Sequence, residues 1–166
     1  LHAECISSIR EVWWDVRPHP DFGTVELRMC DAAPTLRETV ALAALAQTLV
    51  AYIRDQHERS ELPSLPRQWT IRENRWLAAR HGVEAELIVD DRGRRQPAGE
   101  ILEEVVERIR PTAERIGAAA ELDELLELWA HGPGYLRQRR IISGGGSYQD
   151  VVASLIGELE ADQPRP

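Results

Sequence analysis

Little in this chain invites chemistry through sulfur. Its 166 residues include two cysteines, Cys5 and Cys30, and these lack metal-ligand spacing. Cys30 falls in a strand-like stretch and suits a small buried or half-buried residue, and a reducing, cytoplasmic setting is the simpler expectation. Basic charge is scarce as well: 20 basic residues stand against 28 acids, for a net charge of −8. Counterion-release binding needs a basic surface, so no nucleic-acid partner is expected, the small Arg137, Arg139, Arg140 cluster notwithstanding. Long apolar runs are missing too. Arg37 and Arg54 bracket the longest one, short of a membrane span, and the first residues lack the basic segment and apolar core of a secretory signal. No membrane partner is therefore expected. There is no internal repeat. Gly132, Gly134 and the run 144–146 do not follow a strand, so the dinucleotide-binding pattern fails and these glycines read as breaks between helices. No Ser–His–Asp or Cys–His arrangement has support beyond the presence of those residue types.

What is present is a folded-domain composition, 43% hydrophobic and 29% charged, at a length that can bury one core. The chain opens on Leu1 rather than Met and reads as a piece of something longer. Its most informative stretch is 12–31, two short strands joined by a Pro- and Gly-containing turn. Side chains in a strand alternate between faces. Thr24, Glu26 and Arg28 therefore share one face, with Val25, Leu27 and Met29 on the other; Asp15 and Arg17 oppose Trp14 and Val16. If the two polar faces coincide, two carboxylates and two guanidiniums crowd one patch. That patch suits either cross-strand ion pairs or the holding of a metal and a phosphate.

The remainder, 34–161, is mainly helical. Pro34 and Thr35 open a long helix through Ile53 that is apolar on nearly every side from Ala41 to Val50, which predicts burial against the sheet. After a proline-rich loop at 62–66, a helix over 71–80 ends at Gly82, 85–90 has strand character, and 91–94 is a turn. Helices follow over 100–110, with a break at Pro111, and over 112–116, 122–129 and 135–142. Ser147 and Asp150 have the spacing of a capping box that opens a last helix. The fold class is α+β, with short antiparallel strands followed by a mainly helical region. Two or three strands make a poor sheet by themselves, so further strands are expected from elsewhere.

The order Trp13-Trp14-Asp15-Val16-Arg17-Pro18, then His19-Pro20-Asp21-Phe22-Gly23-Thr24-Val25-Glu26-Leu27-Arg28, then Asp31, resembles the carboxylate–amine ligases of the glutamate–cysteine ligase 2 family, in the glutamine-synthetase-like superfamily. Glu73-Asn74-Arg75-Trp76-Leu77-Ala78-Ala79-Arg80-His81-Gly82 resembles a helix of the same family. The resemblance implies that the whole chain is the C-terminal part of one ligase catalytic domain, whose sheet it would share. It implies an ATP-dependent ligation through an acyl phosphate, with ATP and magnesium as cofactors and glutamate or another carboxylate, and an amine such as cysteine, as substrates.

By position in the motif, Glu26 is the metal candidate. Arg28 is the candidate for the transferred phosphoryl group, where a planar fork engages two oxygens, and Arg17 is a catalytic or nucleotide contact. Arg75 and Arg80 are candidates for a substrate carboxylate, against ordinary ion pairing. His19 and Asp21 read as exposed turn residues rather than ligands, and Asp15 as a partner for an arginine. Asp31 reads as an orienter of Arg28 or a helix cap, Trp76 as a core residue rather than a stacking platform, and Arg137–Arg140 as a solvated helix face. The family's G-x-E-x-E strand and H-x-H-x-G segment do not occur in this sequence. The expected partner is therefore a missing N-terminal half or a partner chain, with homo-oligomerisation also open. The alternative reading is a non-catalytic subunit or binding module derived from the ligase fold.

Overall fold

The computed structural model describes residues 5–164 and divides the chain into two units, 1–32 and 33–166. In the first, Ser8 caps a single 3₁₀ turn at Ile9–Glu11. The strands β1 (Val16–His19) and β2 (Thr24–Leu27) then pair antiparallel, with Val16 opposite Leu27, Arg17 opposite Glu26 and Pro18 opposite Val25. The strands are shorter than the 12–31 span implied. The turn closes through Phe22 N–H to the His19 carbonyl at 3.1 Å, with Gly23 at φ +60°, a conformation that glycine adopts without steric cost. The Arg28 N–H donates to the Asp15 carbonyl at 2.7 Å and extends the ladder beyond β2. Arg17, Glu26 and Arg28 thus share a face, as alternation predicted.

The second unit is built on three helices. Thr35 caps α1 (Leu36–Glu58) in a full capping box with Glu38. α1 packs on α3 (Ala98–Ile116) and α4 (Ala119–His131). The core is Ala41, Val106, Ile109, Ala113, Leu122, Leu125 and Leu128, with Leu45, Leu49 and Tyr52 packed against it. The small residues Ala41, Ala44 and Thr48, at i, i+3 and i+7, form the buried stripe of α1. Within this unit the helix is therefore seated on helices rather than on a sheet, and Leu36, Val40, Leu42, Val50 and Ile53 on its other side are exposed. The reason is area: α3 and α4 each present apolar residues at helical spacing, whereas a two-stranded sheet is too small to cover 23 residues. At that length α1 also meets the length and mean-hydropathy measure of a membrane span, which the count between Arg37 and Arg54 had missed.

α3 runs unbroken through Pro111, contrary to the expected interruption. Proline removes one intrahelical donor. Pro111 and Glu107 both lie on the exposed side, where the freed carbonyl can meet water, while Val106, Ile109, Thr112 and Ala113 hold both halves to the core. Gly117, at φ +76°, ends the helix. α2 (Gln68–His81) starts three residues earlier than its pattern suggested. The expected strand is β3 (Glu86–Ile88), and it pairs with a three-residue β4 (Arg95–Pro97) that carries no apolar alternation to announce it. Asn74 of α2 clamps β3: its Oδ1 accepts from the Ile88 N–H at 2.7 Å and its Nδ2 donates to the Ile88 carbonyl at 2.9 Å. The amide thereby replaces the strand that Ile88 lacks on that side.

α5 (Gly134–Ser143) and α6 (Tyr148–Ala161) close the unit, α6 with the Ser147–Asp150 capping box read from the sequence. Arg137 is not on a solvated face: 3% exposed, it is among the most buried residues of the chain. Its Nη2 pairs with Glu38 Oε1 at 2.8 Å and Glu158 Oε2 at 2.9 Å, and its Nη1 donates to the Gly132 carbonyl at 2.6 Å. Burial would lower the Arg137 pKa, but the hydrogen bonds it donates to Glu158 and Glu38 outweigh this and hold it above its ordinary value. Gly82, at φ +59°, follows α2 where a Cβ would lie 2.0 Å from the Tyr135 hydroxyl, and that hydroxyl accepts from the Val83 N–H at 3.1 Å.

Two variants test this packing. Arg137→Met leaves two carboxylates buried without their cation and should cost about 3–5 kcal/mol in urea unfolding; a loss below about 1 kcal/mol would refute the lock, since that is the worth of an ordinary surface pair. Gly82→Ala should cost more than about 1 kcal/mol, through both the left-handed backbone and the Tyr135 contact. A neutral Gly82→Ala would mean that Tyr135 is free to move away.

Candidate functional site

Three of the five candidate site residues lie side by side on the hairpin. Arg17 and Glu26 occupy paired positions on one face, and Arg28 follows Glu26 by two residues on the same face. Arg17 Nε donates to Glu26 Oε2 at 2.8 Å, and Arg17 Nη2 pairs with that oxygen too. Arg28 Nη1 donates to the other oxygen, Oε1, at 2.7 Å. One carboxylate therefore spans two guanidiniums. Arg17 is braced further by the Arg10 carbonyl at 3.3 Å, and Arg28 by the Trp13 ring, 4.6 Å from its centroid. Partial desolvation raises the Glu26 pKa, but the hydrogen bonds and charges of Arg17, joined by those of Arg28, more than offset it and hold the carboxyl below its usual range.

Two guanidiniums share the Glu26 carboxylate, Asp15 lies on the same face opposite Arg28, and Arg28 keeps donor nitrogens beyond the one that Glu26 takes. Such a patch suits a phosphate or carboxylate. A magnesium ion needs several hard oxygen ligands. Both oxygens of Glu26 are already engaged by guanidiniums, and the described residues contain no group of three or more potential metal-ligating side chains. The described residues by themselves do not fit a divalent cation.

The surrounding residues sort differently. Asp21 is exposed, as a turn residue should be, but His19 is half-buried, ends β1 and stacks on Phe22 with ring centroids 4.4 Å apart. Asp31 neither orients Arg28 nor caps α1; its Oδ1 accepts from the next residue's N–H at 2.8 Å, and the cap is Thr35. Cys5 and Cys30 are exposed free thiols, so Cys30 is not the buried residue that was expected. Arg75 and Arg80 are both exposed on α2, five residues apart and so on different sides of that helix. Trp76 is 56% exposed and therefore not a core residue; within its motif the buried position belongs to Leu77 and the structural polar one to Asn74. The Asn74 clamp escaped the sequence reading because nothing along the chain ties residue 74 to residue 88.

The strand hairpins, the helical unit and the guanidinium pair bridged by one glutamate define an α+β protein. Its family follows from comparison. The family model described as glutamate-cysteine ligase family 2 matches residues 1–154, and the chain belongs to that family. A protein of Thermobifida fusca (strain YX) named "Putative glutamate--cysteine ligase 2" is 47% identical over 165 residues, covering 99% of this chain and 41% of the relative. A Frankia casuarinae relative is 44% identical over 96% of this chain and 42% of its own length, and one from Gloeobacter violaceus is 43% identical over 93% and 42%. The chain thus spans about two fifths of the length of the curated relatives it matches. The resemblance carried by the hairpin and the α2 motif is borne out.

The lowered Glu26 pKa has a signed consequence. The two ion pairs contribute fully above the ordinary glutamate range and are lost as pH falls through the depressed folded-state value. In NMR, the Arg17 Nε–H signal should be sharp and shifted at neutral pH and should collapse toward the free-guanidinium position on acidification. Glu26→Gln should show the collapsed position already at neutral pH; a signal equal to wild type there would refute the bridge.

Proposed function

We propose that the protein of which this chain is a part joins a carboxylate to an amine at the expense of ATP, through an acyl phosphate, with glutamate as the carboxylate and cysteine as the amine. The observation that supports the reading is the pair of guanidiniums on one sheet face, held apart and aimed by a single glutamate, within a family match across most of the chain.

The chemistry assigned to these residues is electrostatic. Transfer of a phosphoryl group to a carboxylate spreads negative charge over three oxygens, and fixed positive charge lowers that barrier because it need not reorganise. In this reading Arg28 and Arg17 bind the oxygens of the moving group, each through its planar fork. Glu26 keeps the two forks from swinging away. Magnesium and the remaining ligands belong, in the same reading, to residues beyond those described, consistent with a chain two fifths the length of its relatives. Arg75 and Arg80, exposed on α2, are proposed to meet a substrate carboxylate.

The test is turnover of Mg-ATP by the intact polypeptide with glutamate and cysteine, in wild type and in Arg28→Ala. Loss of one fixed charge at a developing anion should lower kcat about 10²–10³-fold. Product formation unchanged in both Arg28→Ala and Arg17→Ala would overturn the assignment. An intact polypeptide that binds its partner normally but never consumes ATP would establish the non-catalytic alternative.

A further inference from the structure

The last helix keeps one face open to solvent. On its inner side Gly157 and Glu158 are buried, and Glu158 is bound to Arg137. Along the outer side run Tyr148, Val152, Ile156 and Leu159, at i, i+4, i+8 and i+11, each more than half exposed. Single apolar residues on a surface are ordinary, but a stripe along a whole helix marks an interaction surface. The helix that carries it is held at both ends, by the Ser147–Asp150 capping box and by the Glu158–Arg137 pair. Gln149, Ala153 and Glu160 are exposed along one flank of the stripe, and α6 contains no Lys or Arg. Asp150, about 200° around the helix from Val152, belongs to the opposite side and is engaged by Ser147 at 2.7 Å.

We propose that this face pairs with the same face of a second copy of the protein, the two α6 helices running antiparallel across a two-fold axis. The stripe is self-complementary in that arrangement. Tyr148 with Leu159, and Val152 with Ile156, share nearly one midpoint, between Ala153 and Leu155. A two-fold axis there sets Tyr148 against Leu159 of the second copy and Val152 against Ile156 of the second copy. Antiparallel pairing also brings the two polar flanks together. The Gln149 amide, a donor, then lies beside the Glu160 carboxylate of the second copy, once on each side of the axis. Parallel pairing would set Glu160 against Glu160. Ala153, small and next to the axis, lets the helices approach closely. An acidic flank and the lack of basic residues disfavour an anionic membrane as the occupant. One helix of 14 residues makes a contact at the small end of specific interfaces, so the dimer should be a weak one, with Kd on the order of 10 μM. The pairing uses neither Arg17 nor Arg28 and stands independently of the ligase reading.

The experiment is sedimentation equilibrium of the intact polypeptide over a concentration series that brackets that Kd. A monomer–dimer equilibrium is expected. The double variant Val152→Glu, Ile156→Glu should weaken it about a hundredfold or more, through lost apolar burial on both copies. Gln149→Glu should weaken it about fivefold by setting like charges together on both sides of the axis. Adding Glu160→Gln to Gln149→Glu should restore the wild-type Kd, because the donor and the carboxylate have then exchanged places. All four side chains are exposed, so the variants should keep the wild-type circular dichroism. Arg28→Ala should dimerise like wild type, which separates this surface from the hairpin. The proposal falls if the polypeptide stays monomeric at about tenfold above the expected Kd. It falls equally if a dimer ignores Val152→Glu, Ile156→Glu, or if the exchanged pair gives no rescue. A monomer whose Tm drops with Val152→Glu, Ile156→Glu would show the face to be covered by another segment of the same polypeptide, and that too overturns it.

Discussion

Arg137 is the group on which the arrangement of α1, α5 and α6 depends. One guanidinium on α5 meets Glu38 in the first turn of α1 and Glu158 near the end of α6. Glu38 is at the same time the third residue of the Thr35 capping box, whose backbone N–H and hydroxyl it receives at 3.1 and 2.9 Å. A single buried carboxylate therefore both starts the longest helix and docks the helices at the C-terminal end. Two acids against one base would leave uncompensated charge in a dry interior. That makes these additional donors as necessary as the ion pair itself. The close approach of Gly134 to Pro34, where a Cβ would stand 2.7 Å from Pro34 Cγ, belongs to the same junction.

The hairpin uses the same chemistry nearer the surface. There the half-exposed Glu26 carboxylate serves two guanidiniums, with Asp15 on the same face. In the core triad every donor nitrogen of Arg137 finds an oxygen in a buried setting, which makes it structural. In the hairpin all three nitrogens of Arg17 also find oxygens, while Arg28 is held through Nη1 alone. The apolar residues opposite that face, Val16, Val25 and Leu27, are exposed, and so is the outer side of α1. Both features accord with a chain that accounts for two fifths of its relatives' length.

Local signals carried much of this into the sequence. Strand alternation predicted that Arg17, Glu26 and Arg28 share a face. Capping chemistry marked Ser147 and Gly82, and glycine punctuation separated α4, α5 and α6. The misreadings share one cause, which is that burial is not a local property. A basic tetrad at 137–140 looks solvated until Glu38 and Glu158, 99 and 21 residues away, close on one member of it. Trp76 looks like core until Leu77 takes the inward position. Pro111 looks like a break until both flanking halves are seen held by one apolar face.

The sequence by itself determined the helical and strand periods, the caps, the family and the residue types of the arginine–glutamate patch, because each of these is written within a few turns of chain. Tertiary structure decided which charge is buried and which is offered. It set Glu26 between two forks rather than beside one, clamped β3 through Asn74, and left the Tyr148–Leu159 face of α6 open. Those outcomes depend on groups distant in sequence meeting at hydrogen-bond range, where desolvation decides whether a charge is held inside or left to solvent.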